Sequence, residues 1–526
     1  MTRKRIFVLP ALCVPLAVAA VTVWTRSAES FQPYAEAHRR AATYPDYADA
    51  VIPPNIAPLN LKVLESGRKF YLRLSGTAGA PIEISSAGGA MDIPPNTWRN
   101  LLKANAGGEV KMDIRVKGAN GWTHFDTVRN PVATDEIDPY VVYRYIPSLY
   151  DKWGSITIRQ RDLRSFEERI VLDNERSTDP SGKTAGSACV NCHTFLNHRT
   201  AQMLVHSRPS RSGQIPAMIL VRGRRAEKVD TRFGGRGAAS YPAWHPSGKL
   251  LAFSRNSLLQ IFHTAGVEVR EVVDRDSDLG LYDVDTGKAY TVPQISRPDR
   301  LETWPAWSPD GRYLYFSSAR QLSTDKKNPP PNWDTIQYDL DRVAYDSASG
   351  RWGEAVTVVS AAQLGRSISE AQISPDGRFL MFTGHDHGSF PIFQPSADLY
   401  LVDLGGTASL PLAARRLDEI NSDRADTYHS WSSNSRWVIF SSKREDGVFT
   451  RLYIAHADPA GHFSKPFVLP QKDPDFYGRC VMVFNRPELI AEPVNVSAAE
   501  LTRAMNSEAG GNPSTKSSEE PYRPLK

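Results

Sequence analysis

The chain has 526 residues, 41% of them apolar, which is enough for two or three folded units and excludes a disordered or fibrous architecture for its bulk. Its formal charge is only +5, and Arg3, Lys4 and Arg5 supply three of those charges, so the balance gives no reason to invoke nucleic acid. With 35 Gly, 38 Pro, 20 Tyr, 20 Phe and 11 Trp, the composition favours short strands joined by many turns, an all-β fold.

The first five residues are basic, and Ile6–Trp24 is an uncharged run of nineteen, about 28 Å long as a helix. Residues 1–26 read as a signal peptide or membrane anchor, which places the rest in the periplasm or another extracytoplasmic space, with anchorage to the inner membrane if the segment is retained. Val18-Ala19-Ala20 suits cleavage, whereas the apolar run on to Trp24 suits an uncut anchor, and both remain open. Cys13 follows Leu12 where a lipoprotein signal needs a small residue, so lipidation is rejected. Residues 27–58 are polar and Pro-dotted, ending in Ile52-Pro53-Pro54-Asn55-Ile56-Ala57-Pro58, and read as a tether. Over residues 59–135, alternating runs such as Val110–Val116 are separated by Gly-rich turns, with one short helix at Asn96–Lys103; a small β-sandwich fits.

An internal repeat dominates the remainder of the chain. Tyr241-Pro-Ala-Trp-His-Pro-Ser-Gly248 and Trp304-Pro-Ala-Trp-Ser-Pro-Asp-Gly311 each lead into an alternating strand ending in Phe-Ser. Ser369-Glu-Ala-Gln-Ile-Ser-Pro-Asp-Gly377 and the degenerate Tyr428-His-Ser-Trp-Ser-Ser-Asn-Ser435 do the same. Turn positions 248, 311, 377 and 435 are 63, 66 and 58 residues apart. Each copy reads strand, turn, strand: Pro sets φ, Asp or Ser bonds the local backbone, and Gly takes φ > 0. A later strand such as Asp398–Asp403 completes a four-stranded blade, which cannot bury both faces alone. Two weaker blades are expected at residues 140–174 and 202–233, making six, with Val481–Phe484 closing the ring. The β-propeller therefore spans residues 136–490, interrupted by a loop insertion at 177–200; residues 491–526 are expected to be a disordered tail.

Inside that insertion, Cys189-Val190-Asn191-Cys192-His193 has the spacing for covalent attachment of a c-type haem. Two thiols three residues apart can add to vinyl groups on one porphyrin edge, and the following imidazole supplies a proximal iron ligand. A disulfide, a zinc site built from Cys189, Cys192, His193 and His198, or a chance match are the alternatives. Haem is preferred because the adjacent histidine has no place in a disulfide, and because extracytoplasmic zinc sites of this spacing are unusual. His206, thirteen residues after His193, is the leading candidate for the distal iron ligand; Met203, His198 and an open site compete. His385, His387 and His429 could face a propeller mouth as metal or substrate ligands, or serve only as turn histidines, and Cys480 is expected to be a buried thiol.

The Trp-Ser-Pro-Asp-Gly repeats resemble those of TolB-like six-bladed propellers over about residues 240–470. More narrowly, the chain is similar to exported bacterial proteins that combine such a propeller with one Cys-Val-Asn-Cys-His motif, some labelled cytochrome c biosynthesis proteins. That resemblance rests on Ile52–Leu59, Tyr143–Phe166, Cys189–Phe195 and Asp398–Asp403, and it implies one covalent haem on Cys189 and Cys192 with His193 axial. The chain departs from the repeat at Ser435, where Gly is expected, and at His245, where Ser is. The resulting expectation is an exported monohaem c-type cytochrome exchanging electrons with a redox partner docked on the propeller. A haem enzyme acting on a substrate in the propeller mouth, or a structural module of an extracytoplasmic membrane complex, are the alternatives.

Overall fold

The computed structural model describes residues 34–147, 155–186, 189–208, 217–233, 239–266, 268, 270–323, 325, 328–406 and 409–508. The expected leader at 1–26 lies outside the described residues, as do residues 509–526 of the expected tail.

The N-terminal part runs β1 (Tyr34–Glu36), β2 (Thr43–Tyr44), β3 (Leu61–Val63), β4 (Lys69–Ser75), β5 (Ile82–Ser86), β6 (Ala90–Met91), α1 (Pro95–Ala104), β7 (Glu109–Gly118), β8 (Gly121–His124) and β9 (Val128–Pro131). One sheet has the order β1-β8-β7-β4-β5, with β9 also on β7, and the other is β2-β3-β6. Burial alternates strictly along β7, whose Val110, Met112, Ile114 and Val116 face the core, as period-two patterning requires. The expected tether is not one over residues 34–58. Tyr47 and Ile52 are each 1% exposed, and Asn130 donates its side-chain amide to the carbonyls of Tyr47 and Ala50. The prolines deny this segment a ladder, but the apolar residues between them fill the core.

The remaining strands form six sheets. The first contains β10 (Tyr140–Pro147), β11 (Thr157–Asp162) and β12 (Glu168–Asp173); the second contains β13 (Cys189–Leu196), β14 (Arg199–Arg208), β15 (Ala217–Arg222) and β16 (Arg225–Val229). The third is β17 (Ser240–Trp244), β18 (Leu250–Phe262), β19 (Arg270–Asp283) and β20 (Lys288–Tyr290). The fourth is β21 (Arg300–Trp307), β22 (Tyr313–Arg320), β23 (Asp339–Asp346), β24 (Arg351–Trp352) and β25 (Val356–Val359), after which comes the short helix α2 (Ala361–Leu364). The fifth is β26 (Ser367–Ile373), β27 (Phe379–His385), β28 (Asp398–Asp403) and β29 (Arg415–Arg416). The sixth is β30 (Asp426–Trp431), β31 (Trp437–Ser442), β32 (Arg451–His456) and β33 (Phe467–Val468). Helix α3 (Phe476–Arg479) then leads to β34 (Met482–Ile490), which pairs antiparallel with β10 and so returns the C-terminal part of the chain to the first sheet.

The expected turns form with side chains doing what the repeat implied. Ser308 Oγ donates to Asp310 Oδ1 at 2.6 Å and accepts from Tyr313 N at 3.0 Å; Ser374 bonds Asp376 and Phe379 in the same way at 2.5 and 2.9 Å. Ser435 adopts φ 62° where glycine was expected, and His245 replaces the serine by bonding Ser247 through Nδ1 at 2.7 Å.

Two further expectations fail. Residues 189–196 are the strand β13, not part of a loop, and the second sheet accordingly starts at residue 189 and not at 202. The apolar residues Val190 and Phe195 are buried within it, and that burial holds the segment in the sheet despite its small-residue flank. Of the expected tail, residues 491–508 are ordered: helix α4 (Ala498–Asn506) buries Leu501, Ala504 and Met505, and Ser497 caps it by accepting from Glu500 N at 3.1 Å. The Ser497-x-x-Glu500 capping box was legible in the sequence, but a polar composition obscured it.

Candidate functional site

The foremost strands of the sheets, β13, β17, β21, β26, β30 and β34, contact one another in that order, and β34 contacts β13, so they form a closed circle. On the last five of them the pairing register shifts at one point, and at the bulge Tyr241, Trp304, Glu370, Tyr428 and Arg486 take positive φ of 48–60°. A left-handed residue costs about 1–2 kcal/mol, and its return here is direction, because the bulge re-aims one side chain per strand. Tyr241 and Trp304 stack with centroids 3.6 Å apart, Trp304 lies 6.3 Å from Tyr428, and the Arg486 guanidinium sits 5.6 and 5.5 Å from the Tyr241 and Trp304 rings. Cys192 packs in the same cluster, where Arg486 Nη1 approaches its Sγ at 3.2 Å.

A cavity of about 500 Å³ is lined by residues of all six foremost strands and by the turn prolines Pro246, Pro309 and Pro375. Two acids border it. Burial lifts the pKa of Glu370 to about 7 and that of Glu488 to about 8, although Glu370 accepts from Tyr428 N and Glu488 from Phe195 N, both at 2.8 Å.

The Cys189–His193 motif lies on β13 and so is part of this circle. Cys192 and His193 are each 1% exposed. Cys192 faces the ring of aromatic residues, whereas His193 turns toward the first sheet and donates from Nε2 to Val142 O at 3.2 Å. His429 does the same one strand-pair away, donating to Met381 O at 3.1 Å. Burial drives the pKa of His193 down to about 3, so its imidazole is neutral, and its Nδ1 has no hydrogen-bond partner. As folded, β13 turns Cys192 and His193 to opposite sides, so the residues as arranged here do not present both groups to one haem; the unused Nδ1 lone pair of a neutral imidazole is the one feature that suits an iron ligand. The packing around Cys192 and His193 is closed. In haem-free folded protein, Cys192 is therefore expected to react with a maleimide on the order of a hundredfold more slowly than in denaturant, read by peptide mass; equal rates would show the site to be open.

The structure separates His206 from this set. His206 pairs with Met218, whose side chain packs toward the third sheet, while His193 pairs with Val205 on the side of the first sheet. Cross-strand neighbours share a face and successive residues alternate, so His206 projects away from His193 and is not placed as its distal partner. His198 bonds Leu489 O through Nδ1 at 2.9 Å, and no cluster of three or more metal-binding side chains exists among the described residues, to which the Cys189 side chain does not belong. His385 is held by Ser369 Oγ and His387 O, at 3.1 and 2.9 Å, and His387 by Glu271 at 3.2 Å; with His429 they do not converge. Cys480 is half-buried, 3.4 Å from the Tyr145 hydroxyl, and not fully buried as expected.

Sequence reasoning missed the ring. Its signal was present: Tyr241, Trp304, Glu370 and Tyr428 each stand seven positions before a turn residue of the repeat. Arg486 carries no such mark, since β34 lacks the turn.

No family model and no curated protein matches the chain. Similar solved structures include a nidogen/laminin complex (7% identity, TM-score 0.36, 67% of this chain and 100% of that one). A putative 6-phosphogluconolactonase from Bacteroides uniformis shows 11% identity and a TM-score of 0.33, over 79% of this chain and 99% of that one. An oligogalacturonate lyase from Vibrio parahaemolyticus shows 11% identity and a TM-score of 0.30, over 61% and 92%. The last two are propeller-like folds, and the present chain is likewise all-β.

Proposed function

We propose that the chain is a six-bladed TolB-like propeller carrying one haem c on Cys189 and Cys192, with His193 as axial ligand, and that it exchanges electrons with a redox partner outside the cytoplasm. The cyclic contact of six foremost strands, with β34 completing the first sheet, supports the blade count. The observation that carries the haem reading is the Cys189-Val190-Asn191-Cys192-His193 spacing, with Nδ1 of the buried His193 left without a hydrogen-bond partner. When bound, the haem supplies a one-electron redox centre. The protein's own part is to hold the imidazole neutral, exclude water from β13 and present a rigid outer surface to a partner. Export by the segment at 1–26 supplies the compartment in which haem attachment takes place.

Protein made in a periplasm competent for haem attachment is expected to gain the mass of one haem and to show sharp absorption bands on reduction with dithionite. The double variant Cys189→Ser/Cys192→Ser should be colourless after denaturation. Colourless wild-type protein of unmodified mass would end this reading.

The cavity bordering the Cys192 cluster favours one second reading, a haem enzyme acting on a substrate held there. Carbon monoxide or cyanide shifting the spectrum of the loaded protein would favour it over pure electron transfer.

A further inference from the structure

We propose that the central cavity is a binding site for a carboxylate carried on a flat apolar body, with Arg486 receiving the carboxylate. The inference stands on the cavity itself and does not need the haem reading. Arg486 is half-buried in the cavity wall, and among the described residues no carboxylate forms an ion pair with it, although Glu370 and Glu488 act on it electrostatically from further away. Its polar contact is the Cys192 thiol at 3.2 Å, with the faces of Tyr241 and Trp304 beside it. A guanidinium has five N–H donors in a planar fork, and a thiol is a weak acceptor, so most of that donor capacity is unspent. Burying a charge in this state is costly unless an anion completes it.

The neighbouring charges do not complete it. Glu370 spends Oε2 on Tyr428 N and Thr383 Oγ1, at 2.8 and 2.9 Å, and its Oε1 has no partner. Burial raises the pKa of this acid to about 7 against the opposing pull of Arg486 and Arg144, so about half of the molecules carry the proton near neutral pH, and in that form Oε1 can donate to an anion bound by Arg486. Arg144 adds a second positive charge acting on the same region, and His429, which also lines the cavity, is neutral. The walls are suited to a planar apolar group: stacked Tyr241 and Trp304, Tyr428 with its ring 6.3 Å from that of Trp304, and proline rings toward the turns. About 500 Å³ suits a small molecule and not a folded segment.

The carboxylate can come from two sources: a freely diffusing aromatic acid, or a propionate of a porphyrin tethered at Cys192, whose Sγ touches the same guanidinium. Calorimetric titration of haem-free full-length protein with cinnamate and with uncharged cinnamyl alcohol separates charge from shape. Cinnamate is expected to bind, and the alcohol about tenfold or more weakly, the loss that follows from removing a charge-assisted hydrogen bond. Arg486→Met should weaken cinnamate by a similar factor, and Arg486→Lys by less. No cinnamate binding, equal binding of the alcohol, or an unaltered affinity in folded Arg486→Met overturns the proposal; the first two need no variant to fold. Repeating the titration on haem-loaded protein names the source. Retained affinity assigns the site to a free acid, and lost affinity with a spectral change in loaded Arg486→Met assigns it to the propionate.

Discussion

Replacing Arg451 with alanine is expected to cost about 3–5 kcal/mol of stability, read as a shift of the urea unfolding midpoint at unchanged slope. Arg451 begins β32 and is 1% exposed. Its guanidinium donates to Met482 O and Cys480 O, both at 2.6 Å, and to Tyr477 O at 3.3 Å. These are the carbonyls of the segment that carries the chain from α3 into β34, and no strand in the sixth sheet satisfies them. Alanine would remove the charged donor from all three carbonyls, leaving Tyr477 O with only the Cys480 N bond at 3.3 Å, and would open a void against Phe449 and Tyr477, whose rings flank the guanidinium at 5.2 and 5.4 Å. Since β34 is the strand that completes the first sheet, the substitution tests whether closure is held from the sixth. A cost below about 1 kcal/mol would mean that β34 is secured by its pairing with β10 alone.

Stability is expected to be greatest near pH 5 and to fall on both sides, by urea midpoints between pH 3.5 and 8. Burial drives the folded-state pKa of His193 and His429 down to about 3 and of His385 to about 4. All three lie below the unfolded value of 6.5, so each contributes stability that is fully present above that pH and is lost as pH falls toward the folded value. Burial lifts Asp274 to about 6, Glu302 and Glu370 to about 7 and Glu488 to about 8, above their unfolded values, so their contribution is present in acid and lost as pH rises through 6–8. Each group changes the slope by about 1.4 kcal/mol per pH unit, and between pH 5 and 6 four acids outweigh three histidines. Below about pH 4 only the histidines of this set still titrate differently in the two states, and stability falls. Glu488→Gln should flatten the alkaline side, since an amide keeps the acceptor for Phe195 N without the buried charge. A midpoint that rises steadily from pH 5 to 8 would show these acids to be ionised in the fold.

The ring of bulge residues joins the cavity to the backbone that builds it. A β-bulge places one side chain per strand toward the middle, and five of the six strands use that place for an aromatic ring, an acid or an arginine, all at positive φ. Such positions are strained by choice of residue, because glycine would relieve the backbone and lose the side chain. The same reasoning accounts for Gly311, where φ is 72° and an added Cβ would lie 2.4 Å from His245 Nε2, a contact that a side chain could not make.

Local chemistry carried everything that depends on near neighbours in the chain. The Ser-Pro-Asp-Gly turns, the alternation along β7, the helix near residue 96 and the Cys189–His193 spacing are short-range patterns, and each is visible in the residues that form it. Tertiary structure decided the rest. Residues 189–196 look like a loop until the neighbouring strands supply a ladder and bury Val190 and Phe195, and residues 491–508 look disordered until Ala226 and its sheet offer α4 a surface. The cavity is the extreme case: Cys192 and Arg486 are 294 residues apart and meet only because the C-terminal strand β34 completes the first sheet. No periodicity within either segment encodes that contact, since it is a property of closing a circle of sheets.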